Sequence, residues 1–281
     1  MKKMAVIGAG SMAEAFISGV LENGVMEREN IWVTNNSNKE RLQKLRNRYG
    51  VSASYDMSAL FAGADIVVLA MKPKDAATGI TKIREYLTEQ MLVISVLAGV
   101  SINTIEVLAK KPMAVVRSMP NTSAAVGLSA TAIAVNERVS EQQMEMTKKL
   151  FNTVGLTTIV EEKHLDAVTG LSGSGPAYIY YLIEAMENSA VEIGLNKETA
   201  QELIVQTLIG AAEMVRKSIK PPVQLRKDVT SPGGTTEAGI RVLEENGVQQ
   251  AFIECIKAAT AQSQKMGKAL SAQLETAEQL L

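Results

Sequence analysis

A glycine-rich turn follows the first apolar run of the sequence. Residues 4–7 are apolar, and the next residues read Gly8-Ala9-Gly10-Ser11-Met12-Ala13, with a helical pattern over residues 13–21. In a G-x-G-x-x-A turn the first glycine allows a tight bend, the second lets a pyrophosphate approach the backbone, and the alanine keeps the helix close to the sheet. The helix N-terminus offers N–H groups and a positive dipole end to phosphates. The motif predicts dinucleotide binding by Gly8, Gly10, Ser11 and Met12, with a glycine turn that binds no ligand as the alternative.

The end of the second predicted strand bears on the choice of dinucleotide. It reads Thr34-Asn35-Asn36-Ser37-Asn38-Lys39, with no acidic residue before Glu40. NAD sites usually carry Asp or Glu here for the ribose 2′-hydroxyl, and such a charge would repel a 2′-phosphate. We therefore expect Asn35, Asn36 and Ser37 to bind the adenosine end of the cofactor, and we favour NADPH, with NADH still possible.

Two basic residues lie close to this segment. Lys39 or Arg41 can neutralise a 2′-phosphate. A solvated helix start capped by Ser37 or Asn38 is compatible with both cofactors.

A lysine and a proline follow the strand predicted over residues 65–70. In an open α/β sheet, the carboxyl ends of the strands face the ligand crevice. We therefore expect the consecutive residues Ala70, Met71, Lys72 and Pro73 to line the cofactor site. For Lys72, an ordinary solvated lysine is the alternative.

Two segments rich in glycine and hydroxyl residues precede helices in the second half. They read Leu171-Ser172-Gly173-Ser174-Gly175-Pro176-Ala177 and Ser231-Pro232-Gly233-Gly234-Thr235-Thr236. Open N–H groups at such helix starts can bind a carboxylate. For each segment, a tight helix–helix turn with a Ser or Thr cap is the alternative.

The hydrophobic pattern divides the chain into an α/β half and an all-α half. Strands are predicted over residues 4–7, 31–34, 65–70, 91–96, 114–117, 129–135 and 157–160, and helices between them over residues 13–21, 39–48, 75–87, 102–109 and 141–151. This alternation predicts a parallel sheet covered on both faces. Later helices are predicted over residues 177–193, 198–218, 237–245 and 249–265. With a polar hinge near residues 161–165, we expect domains at 1–162 and 163–281.

The composition excludes several classes of protein. The chain has 281 residues, of which 46% are hydrophobic and 21% charged, with a net charge of −1. These values exclude wholesale disorder and lack the basic footprint of a nucleic-acid binder. One cysteine and one histidine cannot build a Cys/His zinc cluster, so no metal is expected. No targeting or membrane segment is recognised, and we expect a soluble cytoplasmic protein.

The later helices are apolar over a wide arc. In the helix that holds Val205 and Ile209, apolar residues also lie outside the main stripe. A domain of this size would not bury so much apolar surface alone, which predicts packing against a second copy. Cys255 lies in a helical apolar pattern and is expected in the core.

Five motifs together resemble the pyrroline-5-carboxylate reductase family along essentially the whole chain. They are the N-terminal glycine motif, Met71-Lys72-Pro73, Arg117-Ser118-Met119-Pro120-Asn121-Thr122, Gly173-Ser174-Gly175-Pro176-Ala177-Tyr178 and Asp228-Val229-Thr230-Ser231-Pro232-Gly233-Gly234-Thr235-Thr236. The resemblance implies an α/β fold with an N-terminal Rossmann-type doubly wound sheet and an all-α C-terminal dimerisation domain. It further implies a homodimer with interlocked C-terminal helices, and larger rings built from such dimers in some members. A decamer of dimers is the alternative to the dimer alone.

The resemblance also implies roles for particular residues. The substrate carboxylate would bind backbone amides of the segment that holds Ser231, Gly233, Gly234 and Thr235, and the Thr236 hydroxyl would bond the ring nitrogen as the catalytic contact. The third motif adds Asn121 to the expected cofactor-binding residues. The segment and the nicotinamide can then belong to different chains of the dimer. Asn36 and Ser37 depart from the strict family pattern at the adenosine end.

The activity implied is the NADPH-dependent reduction of L-1-pyrroline-5-carboxylate to L-proline, the last step of proline biosynthesis. Two alternatives remain from the residues themselves. A β-hydroxyacid-type dehydrogenase would need a Lys base with an Asn partner near the first interdomain helix, where Lys163 is followed by His164-Leu165-Asp166-Ala167 without an Asn. The second alternative is a non-catalytic dinucleotide-binding sensor. In such a protein the segment over residues 231–236 would be expected to have decayed, whereas it is intact here.

Overall fold

The structure is a computed structural model that describes residues 2–278, with side chains described up to residue 269. The chain forms two compact units. The first runs from the N-terminus to Pro176 and includes the C-terminal segment from Lys257, and the second comprises Ala177–Ile256. The division into a cofactor domain and a dimerisation domain expected between residues 162 and 163 stays a prediction.

An eight-stranded sheet forms the centre of the first unit. Its strands are β1 Lys3–Ile7, β2 Ile31–Thr34, β3 Ser52–Ala53, β4 Ala64–Leu69, β5 Leu92–Ser95, β6 Ala114–Met119, β7 Ser129–Val135 and β8 Gly155–Ile159. The order across the sheet is β3-β2-β1-β4-β5-β6-β7-β8. The chain therefore reverses its direction of travel between β1 and β4, as in a doubly wound sheet. The predicted fold class is confirmed.

One strand pair departs from the predicted parallel arrangement. β6 and β7 run antiparallel, with Val116 opposite Val135. Only residues 120–128 connect them, and a parallel pair needs a crossover of about a dozen residues or more. The length of this connection therefore accounts for the direction of β7.

Helices cover both faces of the sheet. In the first unit they are α1 Ser11–Glu22, α2 Lys39–Tyr49, α3 Met57–Phe61, α4 Ala76–Ile83, α5 Ile102–Ala109, α6 Glu141–Phe151 and α7 Leu165–Val168. Alternate residues of β1 enter different cores, Met4 and Val6 on one face and Ala5 and Ile7 on the other. Apolar residues on both faces are what a parallel sheet buried between two helical layers requires.

The remaining helices form the second half of the chain. They are α8 Gly175–Glu192, α9 Lys197–Lys217, α10 Pro222–Asp228, α11 Thr235–Glu245 and α12 Val248–Glu278. The sequence predicts no strand after residue 160, and the described residues of this part form helices and no strand. None of the described helices is long and apolar enough to cross a membrane.

Several short elements escaped the sequence pattern. β3, α3 and α10 were not predicted, although Pro222 at the first turn of α10 and Asp56, which accepts a hydrogen bond from the Ala59 N–H at the start of α3, are recognisable start signals. Elements of two to seven residues contain too few apolar repeats for periodicity to detect. The helix predicted over 75–87 is also shorter, since α4 ends at Ile83.

The second unit exposes much of its apolar surface. Ala190, Ala200 and Ile204 form a small buried cluster, whereas Tyr181 and Ile193 are about three-quarters exposed. Cys255 is also exposed, so its expected core position is wrong for the single chain. The wide apolar arc seen in the sequence is therefore left open by the chain itself.

The C-terminal segment contributes to the first unit through a charged cluster. Arg117 of β6 is buried and donates to Glu162 at 3.2 Å and to Asp166 at 3.3 Å. Asp166 also accepts from the hydroxyl of the buried Ser263 at 2.8 Å. One turn further along α12, a Cβ on Gly267 would lie 2.7 Å from the Gly99 carbonyl oxygen, so this close approach requires glycine.

Candidate active site

The tight turn after β1 depends on Gly8. Its φ is +120°, and a Cβ there would lie 2.4 Å from the carbonyl carbon and oxygen of Ala70. The Gly8 N–H donates to the Thr34 carbonyl at 2.8 Å, and the Ala70 N–H donates to the Ile7 carbonyl at 2.9 Å. Gly8 therefore brings the carboxyl ends of β1, β2 and β4 together at the point where the strand order reverses.

Gly10 serves a different purpose from Gly8. It is the N-cap of α1 with φ −76°, an ordinary backbone conformation, and a Cβ placed on it would meet no atom within 4 Å. A glycine has no side chain to cap the first-turn N–H groups of α1. Ala13 is 1% exposed and packs in the core. The open space at Gly10 thus fits a phosphate close to the backbone, as the motif predicts.

A cavity of about 190 Å³ lies beside this turn. Its walls include Ile7, Gly8, Thr34, Asn35, Asn36, Met57, Met71, Asp75, Thr78, Gly79, Lys82 and Ile83. Thr34 is 2% exposed, and within the part of the chain whose side chains are described its hydroxyl oxygen is buried without a hydrogen-bond partner. A buried polar atom of this kind normally has a partner. Asn35, Asn36, Thr78 and Lys82 give the cavity a partly polar wall, which fits a ligand such as a ribose.

Sequence reasoning found part of this cavity and missed the rest. It included Gly8, Asn35, Asn36 and Met71, which the structure brings together here. It missed Thr34, Met57, Asp75, Thr78 and Lys82. Thr34 ends a strand beside Asn35 and could have been inferred, whereas the others come from α3 and the segment around α4, whose positions depend on packing.

The loop after β2 is held by its own side chains. Asn35 donates to the Asn38 carbonyl at 2.7 Å and accepts from the Tyr55 hydroxyl at 2.8 Å. Asn38, rather than Ser37, is the side-chain cap of α2, since it accepts from the Arg41 N–H at 2.9 Å. The side chains of Asn36 and Ser37 are exposed. The segment therefore caps α2 through Asn38 and also leaves the side chains of Asn36 and Ser37 accessible to the adenosine end of a cofactor.

The residues after β4 take mixed positions. Pro73 begins a 3₁₀ turn, Pro73–Asp75, that leads into α4, and Lys72 is exposed before it. Met71 lines the cavity, and its side chain packs against Gly79. Lys72 is free of the core and close in sequence to the cavity, so its predicted contact with the cofactor stays a prediction.

Asn121 has contacts that the motif did not indicate. It is 8% exposed, and its carboxamide donates to the Ser172 carbonyl at 3.0 Å and accepts from the Ser123 N–H at 3.1 Å. These bonds tie the end of β6 to the segment before α8. They give Asn121 a structural role, and its cofactor contact stays a prediction.

The hydroxyl-rich segment 231–236 leads into and includes the start of α11 in the second unit. Gly233 has φ +71°, the Gly234 N–H donates to the Ser231 carbonyl at 3.0 Å, and Gly234 is the N-cap of α11. Thr235 and Thr236 form the first turn, where N–H groups have no partner within the helix. Ser231, Gly233 and Thr235 are exposed and Thr236 is half-buried. The arrangement can bind a small anion.

A carboxylate already contacts one amide of this segment. Glu237 Oε2 accepts from the Gly233 N–H at 2.7 Å. A carboxylate ligand that used the same amide would have to displace the Glu237 side chain. Sequence reasoning missed Glu237, although an acid in the first turn of a helix is a common partner for N–H groups before it.

A larger cleft lies elsewhere on the first unit. It measures about 560 Å³ and is lined near the starts of β4, β5 and β6 by Asp65, Leu92 and Ala114. Ligands of open α/β sheets bind at the carboxyl ends of strands, which is the opposite edge. We therefore place the candidate cofactor site at Gly8 and Gly10. Among the described residues, no three His, Cys, Asp or Glu side chains group as metal ligands would.

Known proteins resemble the chain in both halves. Residues 162–266 match the family described as pyrroline-5-carboxylate reductase dimerisation, and residues 3–99 match the family described as NADP oxidoreductase coenzyme F420-dependent. Pyrroline-5-carboxylate reductase 2 of Bacillus subtilis is 51% identical over 257 residues, which cover 92% of each chain. The chain belongs to the pyrroline-5-carboxylate reductase family.

Solved structures of this family have the same fold. The pyrroline carboxylate reductase of Plasmodium falciparum, solved with NADP bound, is 31% identical with a TM-score of 0.87, covering 95% of this chain and 98% of that one. The pyrroline-5-carboxylate reductase of Coxiella burnetii is 37% identical with a TM-score of 0.85, covering 94% and 98%. The resemblance recognised from five motifs is therefore confirmed.

The two glycines of the turn should respond differently to the same substitution. We expect Gly8→Ala to lower the free energy of unfolding by about 2–4 kcal/mol, because the added methyl strains φ and collides with the Ala70 backbone. Gly10→Ala should change it by less than about 0.5 kcal/mol but weaken NADPH binding at least about tenfold, since its methyl occupies the open space. Urea denaturation and NADPH fluorescence titration measure the two effects. Equal NADPH affinity of Gly10→Ala and the wild type would contradict this assignment.

Proposed function

We propose that the chain reduces L-1-pyrroline-5-carboxylate to L-proline with NADPH, the last step of proline biosynthesis. The observation that carries the proposal is the joint presence, in a member of this family, of an open glycine turn after β1 and an intact segment over 231–236. The first fits a dinucleotide and the second a small carboxylate. The expected cytoplasmic location stays a prediction.

Reduction of a cyclic imine adds a hydride to the imine carbon and a proton to the ring nitrogen. When bound, the reduced nicotinamide supplies the hydride. A protonated imine is already a good electrophile, so the chain chiefly has to bind and orient its ligands. Such alignment can lower the barrier by several kcal/mol, roughly 7–11 at the extreme.

The segment over residues 231–236, at the start of α11, is the proposed substrate site. The amides of the segment that holds Ser231, Gly233, Gly234 and Thr235 would bind the carboxylate, assisted by the positive end of the α11 dipole. Those of Gly233 and Gly234 would first have to leave the Glu237 carboxylate and the Ser231 carbonyl. The Thr236 hydroxyl would hold the ring nitrogen. A hydroxyl is too weak an acid to provide the proton alone. Solvent therefore supplies the proton, and Thr236 orients the ring nitrogen that accepts it.

The cofactor preference proposed for the chain is NADPH over NADH. The cavity wall at the end of β2 carries Thr34, Asn35 and Asn36, none of which is acidic. A carboxylate at this position would repel a 2′-phosphate. The proposed cofactor contacts are Gly8, Gly10, Ser11, Met12, Asn35, Asn36, Ser37, Ala70, Met71, Lys72, Pro73 and Asn121.

The proposed assembly is a homodimer through interlocked C-terminal helices. The match to the dimerisation family over residues 162–266 and the exposed apolar side chains of the second unit support it. Ile219, for example, is wholly exposed in the single chain. A larger ring, such as a decamer of dimers, stays a prediction.

The proposed reaction is tested by mixing purified protein with NADPH and the imine substrate, with NADH in parallel. We expect loss of NADPH absorbance that requires the imine and yields proline in equal amount. If neither cofactor is oxidised although NADPH binds, the proposal is wrong, and another substrate or a dinucleotide-sensing role is favoured.

Replacing Thr236 should separate chemistry from cofactor binding. We expect Thr236→Ala to lower kcat at least about tenfold, because the ring nitrogen loses its hydroxyl partner, while the Kd for NADPH stays within about twofold. Thr236→Ser keeps the hydroxyl and should recover most of the turnover. A Thr236→Ala enzyme with wild-type kcat would remove Thr236 from this role.

Replacing Glu237 should make the substrate site more accessible. We expect Glu237→Gln to lower the KM for the imine about threefold without a change in the Kd for NADPH, because a charged competitor for the Gly233 amide is removed. Glu245→Gln, at the far end of the same helix, is the matched control and should leave KM unchanged. A rise in KM for Glu237→Gln would instead mean that this carboxylate orients the amide for the substrate.

A negative charge at Asn36 should change the cofactor preference. We expect Asn36→Asp to reduce the NADPH/NADH ratio of kcat/KM by about tenfold, through repulsion of the 2′-phosphate. Asn47→Asp introduces the same charge on the exposed face of α2 and serves as the control. A ratio that does not move would show that the 2′-phosphate is held elsewhere.

A further inference from the structure

Arg41 contacts the phosphate-binding turn from the side. Its Nε donates to the Ala9 carbonyl at 2.7 Å, and its Nη2 lies 3.4 Å from the Gly10 carbonyl. These two carbonyls belong to the peptide groups whose N–H atoms are those of Gly10 and Ser11. Because a trans peptide group is planar, holding the carbonyl on one side directs the N–H to the other.

The start of α2 fixes the position of Arg41. Its backbone N–H donates to the Asn38 side chain at 2.9 Å, and the Asn38 carbonyl accepts from Asn35 at 2.7 Å. The loop after β2 therefore aims the arginine at the turn after β1. A lysine could donate to one carbonyl from this position but lacks the planar fork that joins two partners.

A carboxylate completes the arrangement. Glu14, in the first turn of α1, accepts from Arg41 Nη2 at 2.5 Å and also from Arg48 and Tyr49, both at 3.2 Å. Partial burial favours the neutral acid, but the hydrogen bond and charge of Arg41, with smaller contributions from Tyr49 and Arg48, hold the pKa of Glu14 below its usual value. The carboxylate is therefore ionised at neutral pH, and it lies four residues after Gly10, the N-cap at which the diphosphate is proposed to bind.

We propose that Arg41 is a positioning residue for the dinucleotide diphosphate and not a ligand of the 2′-phosphate. Its guanidinium orients the peptide groups of the turn and neutralises Glu14, whose charge would otherwise repel the diphosphate. The inference rests on the proposed cofactor binding of this unit. The sequence offered Arg41 only as a group that could neutralise a 2′-phosphate. The inference gives Arg41 a different role because its guanidinium contacts the turn after β1.

The two roles differ in what they predict for NADPH and NADH. Both dinucleotides contain the diphosphate, and NADPH alone has the 2′-phosphate. We expect Arg41→Met to weaken binding of both by the same factor, about tenfold, so that the ratio of their Kd values is unchanged. Fluorescence titration of the full-length protein with each cofactor measures this.

Two further variants separate orientation and charge from general damage. Arg46→Met removes the same charge from an exposed position on α2 and should leave both Kd values within about twofold. Glu14→Gln added to Arg41→Met should recover about threefold in both Kd values, because the unpaired carboxylate is removed. A merely structural role for Arg41 gives no such recovery, and its absence would contradict the charge part of the inference.

Each result bears on a different statement. Loss of NADPH binding alone in Arg41→Met would identify a 2′-phosphate ligand and overturn the inference, as would unchanged binding of both cofactors. A wild-type protein that binds neither would overturn the proposed function together with it. Should Arg41→Met fail to fold, Arg41→Lys replaces it, with both affinities expected to fall about threefold at a constant ratio and an unchanged affinity counting against the inference.

Discussion

The close approach of Gly8 to the Ala70 backbone is the contact on which the first unit depends. It brings the ends of three parallel strands together at the reversal point of the sheet, where two crossovers leave in opposite directions. A side chain at residue 8 would force these strands apart. The N-terminus of α1, the open space at Gly10 and the cavity lined by Gly8 and Thr34 all lie beside this point.

Both proposed anion sites use the same local design. A glycine without a capping side chain, Gly10 or Gly234, stands at the N-cap of a helix and leaves first-turn N–H groups for a ligand. Each helix also carries an acidic residue in its first turn, Glu14 or Glu237. Such an acid stabilises the helix dipole but opposes an anionic ligand. At α1 an arginine neutralises it, whereas at α11 the carboxylate bonds the amide of Gly233.

The helices of the second unit carry more apolar surface than the single chain buries. Its small buried cluster contrasts with exposed apolar side chains on several helices, among them Tyr181 and Ile193. The free energy of leaving such surface in water is unfavourable, at about 25 cal/mol per Å². Membership of a family with a dimerisation region explains why this surface persists.

The sequence by itself determined the elements and the turn chemistry of this protein. Apolar periodicity located the main strands and helices, and the spacing of Gly8, Gly10 and Ala13 indicated a phosphate-binding turn, because these features depend on residues near one another in the chain. Short elements such as α3 and α10 were missed, since they contain too few repeats. Tertiary structure alone decided that Arg41 reaches Ala9, that Asn121 bonds Ser172 and that Ser263 returns to Asp166. Each joins residues more than thirty positions apart, and only the packing of the sheet and helices sets such distances.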